Sequence, residues 1–139
     1  RELRVRHHML VFNVNWFGVG MPEGIFRDSE LKHGIHAGDV ETSLMLAIDK
    51  ENVRLNRAKN FVPKTVEIEK EYSHIGLQAA AKFGWQSQDL NENGACGNAE
   101  IATAEKGRIT LEHVCNKLLQ VIKEIEQFPL NTVTNKIGF

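Results

Sequence analysis

Cysteine is scarce in this 139-residue chain, with only Cys96 and Cys115 present. Two thiols make no disulfide framework, and they pair only where the backbone brings them close, so free thiols in a reducing cytoplasm are expected. Long hydrophobic runs are missing too. Met9-Leu-Val-Phe-Asn-Val14 is strand-sized and interrupted by Asn13, far short of a membrane span. Neither sign of charge dominates: 17 Lys and Arg stand against 18 Asp and Glu, a formal net charge of -1. That balance leaves no electrostatic footprint for nucleic acid, and the basic residues are scattered apart from Arg1, Arg4 and Arg6. There is no internal repeat, no low-complexity tract and no readable signal peptide, and residues 34–47 match no zinc signature such as two histidines one turn apart. What is present is ordinary for a folded domain, with 42% hydrophobic and 25% charged residues. The expectation is one domain over residues 1–139 with a loose tail at 129–139, located in the cytoplasm, without nucleic-acid or membrane partners.

Patterning divides the chain into recognisable segments. From Leu3 to Trp16, Val5, Val11, Phe12 and Val14 predict a mostly buried strand, which would put Trp16 at a strand end, where pockets of α/β sheets collect. Residues 18–38 are rich in glycine and predict a long loop with one helical turn, the kind of segment that forms a lid or pocket rim. Leu44 to Ile48 predict a helix from Glu41 to Asp49 buried on most sides. Asn60 to Tyr72 reads as a charged, partly exposed excursion, and Gly94-Ala-Cys-Gly97 as a turn whose glycines supply positive φ or close contact with a neighbouring loop. The last helix runs from Ala99 or Ala104 to Gln127. Its stripe of Ile109, Leu111, Val114, Cys115, Leu118, Leu119, Ile122 and Ile125 suits packing along a sheet, and Pro129 ends it.

The segment from Gly34 to Ala47 carries most of the functional information. It sets His36 and Glu41 around Gly34 and Gly38 and runs directly into an apolar helix that Asp39 or Thr42 can cap. A helix N-terminus offers free N–H groups and a positive dipole end, suited to an anionic ligand or a developing oxyanion. By spacing alone the same residues admit a plainer reading, in which Glu41 steadies the first turn and His36 satisfies a loop carbonyl.

Several blocks together resemble the creatininase (creatinine amidohydrolase) family. His36 through Ala47 matches the block His-(Ala/Gly)-Gly-x-x-Glu-Thr-Ser-Leu-Met-Leu-Ala, and Trp16 in Asn13-Val-Asn-Trp-Phe17 matches a Trp at the end of the preceding strand. Asp89 to Gly97 and Ala102-Thr-Ala-Glu-Lys-Gly107 resemble the approach to the family's last helix. The resemblance implies an α/β fold, a three-layer α/β/α sandwich, of which this chain looks like the C-terminal part. It also implies a metal-dependent amidohydrolase of a non-peptide, cyclic or formyl, C–N amide bond, assembled as a homo-oligomer, a hexamer in the family. Divalent ions (Zn, Mn or Fe) would activate the water. His36 would stand on the substrate side and handle protons, Glu41 would assist as a second catalytic group, and Trp16 would wall the pocket around a small-molecule amide.

Two departures shape that expectation. The family's metal ligands come from an upstream Glu-x-His segment with a following Asp and from an Asn-Gly-His block, and neither occurs here. No residue of this chain is therefore assigned to the metal, whose ligands are expected in a part of the protein outside this sequence. The second departure is at Lys32 and His33, which replace the Trp-Asp pair that encloses creatinine; a basic pair suits a phosphate or carboxylate substrate group instead. The rival readings are a non-catalytic binding or interaction domain on the family fold, and a family peptidase.

Overall fold

A computed structural model describes residues 1–134 of the protein. Its regular structure is helical: α1 (Glu2–His7), α2 (Asp28–His33), α3 (Asp39–Ile48), α4 (Thr65–Glu71), α5 (Ser87–Leu90) and α6 (Ala104–Gln127), joined by short 3-10 turns. The only sheet among the described residues is a ribbon of β1 (Asn60–Phe61) and β2 (Gly97–Asn98), antiparallel, with Asn60 opposite Asn98 and Phe61 opposite Gly97. The expected three-layer α/β/α sandwich is thus corrected: among the described residues there is one two-residue ribbon and no layered sheet. The predicted strand from Leu3 to Trp16 is not a strand either. A strand needs a neighbour for its backbone N–H and C=O groups, and this segment has no strand beside it among the described residues. Its start winds into α1, supported by an ion pair between Glu2 and Arg6 one turn apart at 2.7 Å, and His8 ends the helix in the left-handed region. Val11, Phe12 and Val14 are exposed.

The backbone packs as two compact units, Arg1–Gly20 with His113–Phe139, and Met21–Glu112. In the first, Phe12 meets Phe128 edge-on, with ring centroids 5.3 Å apart, and the Arg4 guanidinium donates to the Thr134 carbonyl at 2.6 Å. The core of the second is built from Phe26, Val40, Leu44, Leu46, Leu90, Ala95, Cys96 and Ala99. Helix α3 is half-buried and not buried all round, because Met45 and Ile48 face outward while Val40, Leu44 and Leu46 face inward. The glycine-rich loop holds the six-residue α2, longer than one turn.

Helix α6 occupies the expected span and stops before Pro129. Gly107 is where it meets α3: a Cβ there would stand 2.6 Å from the Ser43 carbonyl carbon and 2.8 Å from the Ala47 Cβ. Thr110 and Val114 continue the buried line, but Cys115, Leu119 and Ile122 are exposed, so the apolar stripe is not packed along a sheet. Of the expected tail, residues 130–132 form a 3-10 turn, and 135–139 lie outside the described residues.

Candidate functional site

The glycines of the Gly34–Ala47 segment surround a carboxylate. Glu30, in α2, is buried at 6% exposure; its Oε1 accepts the Asp39 N–H at 2.6 Å and its Oε2 the Asn98 N–H at 2.9 Å. The Asp39 N–H is an orphan donor at the start of α3, so Glu30 caps that helix from a distant element; Gly38 occupies the N-cap position, and neither Asp39 nor Thr42 caps it with its side chain. Gly34, Gly38 and Gly97 line the space around this carboxyl. A Cβ on Gly34 or Gly38 would overlap Glu30 Oε1, and one on Gly97 would come 2.7 Å from it and 2.6 Å from the Gly38 Cα. Gly97 also holds φ 137, a conformation other residues resist, so the turn glycines supply both positive φ and close contact.

The same helix start holds a second buried carboxylate. Asp39 is fully buried, accepts Lys106 Nζ at 2.6 Å and Ser43 Oγ at 3.0 Å, and Ser43 Oγ in turn accepts the Thr103 N–H at 3.1 Å. Lys106 donates further to the Ile101 carbonyl at 2.9 Å and lies 5.8 Å from the Phe26 ring centroid. A buried charge needs such a partner, since unpaired it would cost several kcal/mol, roughly 3–5. This network ties α3 to the start of α6.

His36 sits between the two carboxylates in sequence, but its side chain is half-exposed. Its backbone is pinned to Cys96 by a two-way bridge, His36 N–H to Cys96 carbonyl at 3.2 Å and Cys96 N–H to His36 carbonyl at 2.7 Å. Ala37 follows in the left-handed region at φ 55, and its N–H donates to Glu41 Oε2. The turn this makes brings Glu41 Oε2 to 3.8 Å from His36 Nδ1, an ion-pair distance rather than a hydrogen bond. Glu41 is therefore used twice, holding the Ala37 amide and facing the imidazole. It also borders an open, largely apolar cavity of about 560 Å³ with Met45, Ile48, Val53 and Arg54. Cys96 is fully buried, and that burial pushes its thiol pKa up, which keeps it neutral; Cys115 is exposed, and both are free.

Lys32 and His33 line a different cavity, of about 540 Å³, whose lining includes neither His36 nor Glu41. They grip the chain's own Glu69: Lys32 Nζ donates to Oε1, and His33 Nε2 lies 3.0 Å from Oε2. Thr65 Oγ1, 3.0 Å from His33 Nδ1, fixes the ring from its other side. The hydrogen bond from Lys32, followed by the charges of Lys32 and His33, holds the Glu69 carboxyl below the usual range despite some opposing desolvation. Trp16 belongs to the other compact unit, where Asn15 caps its 3-10 turn and its ring lies 3.8 Å from that of Phe17, centroid to centroid.

Sequence reasoning named His36 and Glu41 without settling contact between them; the fold sets Glu41 Oε2 3.8 Å from His36 Nδ1. The same reasoning passed over Glu30, Glu69, Lys106 and Cys96 as parts of these arrangements. The signal for Glu30 was the glycine spacing itself, since Gly34 and Gly38 are small for a reason that lies between them.

Among the described residues no three His, Cys, Asp or Glu side chains converge as a metal site. The buried carboxylates are already committed, Glu30 to two amides and Asp39 to Lys106 and Ser43. The residues described do not fit the role of metal ligands.

The family model for creatininase, creatinine amidohydrolase, matches residues 1–122, and the chain belongs to that family. A crystal structure of a protein from Bacteroides fragilis NCTC 9343, predicted to be a creatinine amidohydrolase, superposes with a TM-score of 0.69 at 26% identity over 92% of this chain. The chain spans 47% of that protein's length. No curated protein matches. No helix among the described residues is long and apolar enough to cross a membrane.

Proposed function

We propose that this chain forms the substrate-facing wall of a creatininase-family amidohydrolase that cleaves a cyclic or formyl C–N amide bond. The observation that carries the reading is the His36–Glu41 pair, inside the family's own sequence block, with its imidazole presented to solvent at 3.8 Å from the Glu41 carboxylate. Amide hydrolysis adds water to the carbonyl carbon and breaks the C–N bond, and the departing nitrogen must gain a proton. An imidazole exchanges protons near neutral pH, so His36 can donate to that nitrogen or to the carbonyl oxygen. Glu41 faces the ring and, through the Ala37 amide, fixes the loop that carries it. Lys32 and His33, whose cavity includes neither His36 nor Glu41, are assigned to an anionic group apart from the cleaved amide. The divalent ions expected of the family, Zn, Mn or Fe, would be held by residues beyond those described here, in the remainder of the family fold. The spanned share of the solved relative leaves room for such a remainder. A homo-oligomer, a hexamer by family expectation, is the proposed assembly.

The test is hydrolysis of formyl and cyclic amides by the intact protein supplied with Zn²⁺, Mn²⁺ or Fe²⁺. His36→Ala should lower turnover by about 10²–10⁴. The melting temperature should hardly move, because the ring is half-exposed. Near-full turnover in the variant would remove His36 from the mechanism.

A second reading has its own support. The described residues carry no ligand set and their buried carboxylates serve the fold, as a non-catalytic binding domain on the family scaffold would require. Metal analysis of the intact protein separates the two. Bound divalent ion with amide turnover supports the enzyme; neither, with metals added, supports the binding domain. Cleavage of a peptide in place of a formyl or cyclic amide would shift the substrate to the family's peptidase branch.

A further inference from the structure

Between α2, α4 and the segment after α4 lies a cavity of about 540 Å³, within the size range of small-molecule sites. Its polar end is Lys32 and His33, and its apolar wall includes Ile68, Tyr72, Ile75 and Leu77. Glu69 bridges the polar end, one carboxylate oxygen on Lys32 Nζ and the other on His33 Nε2. That arrangement measures the site: the two donors are spaced to receive the two oxygens of a single carboxylate, and Thr65 holds the imidazole with Nε2 turned toward it. Lys32 and Glu69 are each about half-exposed, so the bridge forms at the mouth and can open without unpacking the core.

We propose that this cavity binds a small carboxylic acid with an apolar body, and that Glu69 is an internal stand-in for the ligand's carboxylate which must be displaced on binding. The inference rests on the Lys32–His33 part of the functional reading and not on His36. An intramolecular competitor tethered beside its site acts at a high effective concentration and masks the affinity of the free ligand. An exposed pair of this kind competes weakly, so unmasking should improve binding by about fivefold rather than by orders of magnitude.

Calorimetric titration of the intact protein with phenylacetate, phenyl phosphate and the neutral phenylacetamide tests this. Phenylacetate should bind in preference to both others. Glu69→Gln should bind phenylacetate about fivefold more tightly than the parent. Glu69→Asp, whose shorter side chain strains the bridge, should fall between the two. Adding Lys32→Ala to Glu69→Gln should abolish the gain. His36→Ala should bind phenylacetate as the parent does, whether or not it hydrolyses amides, which separates failure here from failure of the catalytic reading. Unchanged affinity in both Glu69 variants, equal binding of phenylacetamide, or preference for phenyl phosphate would each overturn the proposal.

Discussion

Single atoms decide much of this structure. Replacing Gly34 by Ala inserts a methyl into the space of the Glu30 carboxyl, and the buried acid must either move or give up its two amide partners. Overpacking of this kind costs about 1–3 kcal/mol, and each amide left without a partner about 1–3 more, so a clear drop in denaturation midpoint is expected. A midpoint equal to the parent's would mean that Glu30 is not held as described. The two cysteines offer a separate check. A thiol reagent should label Cys115 in the folded protein and reach Cys96 only after denaturation, since Cys96 is fully buried with its thiol pKa raised. Rapid labelling of both would contradict the burial of the His36–Cys96 bridge. Glu69 gives a pH signature. Its folded pKa is lowered from an ordinary 4.5, chiefly by the Lys32 hydrogen bond, so its contribution to stability is present above that value and is lost as pH falls through the lowered one. A carboxyl NMR titration should place Glu69 below the ordinary value, and Lys32→Ala should return it upward.

Elements were legible where the local pattern needed no distant partner. Helix α6 follows from its stripe and from Pro129, and the Gly94–Gly97 turn from its glycines, because turn and helix signals act over a few residues. The segment from Leu3 to Trp16 was misread because an apolar, β-branched run identifies a strand only when a sheet is there to receive it. Of the site, His36 and Glu41 were legible as candidate residues but their approach was not, since it depends on the left-handed turn at Ala37, and Glu30 and Asn98, 68 positions apart, meet only through the fold. The α3–α6 crossing makes a test at this scale. Alanine is favoured over glycine inside a helix by about 1 kcal/mol. Gly107→Ala nevertheless puts a Cβ against the Ser43 backbone, which has no side-chain freedom to yield. The clash should win by a net loss of roughly 1 kcal/mol or more, read as a lower melting temperature. A rise would show that the helices can part at no cost.

At the scale of the whole molecule, the first compact unit presents an unusual surface. Leu3, Val5, Met9, Val11, Phe12 and Val14 are all exposed within the first 20 residues. Exposed apolar side chains in such number favour association with another polypeptide surface. Light scattering on this chain should therefore return a mass above the 15.7 kDa of one copy, and a Val11→Asp, Val14→Asp variant should move toward it. A monodisperse parent at one copy would remove these residues from any interface. Over longer times, the carboxylate enclosed by Gly34, Gly38 and Gly97 binds three separate stretches of the chain into one mutational unit. No one of the four positions is free to drift alone: a larger residue at a glycine is tolerable only after Glu30 has shrunk, and a shrunken Glu30 strands the amides of Asp39 and Asn98. Divergence here must proceed by compensated pairs. Glu30→Ala combined with Gly34→Ala should accordingly cost less than the two single changes summed, a negative coupling that measures how tightly history has locked these positions together.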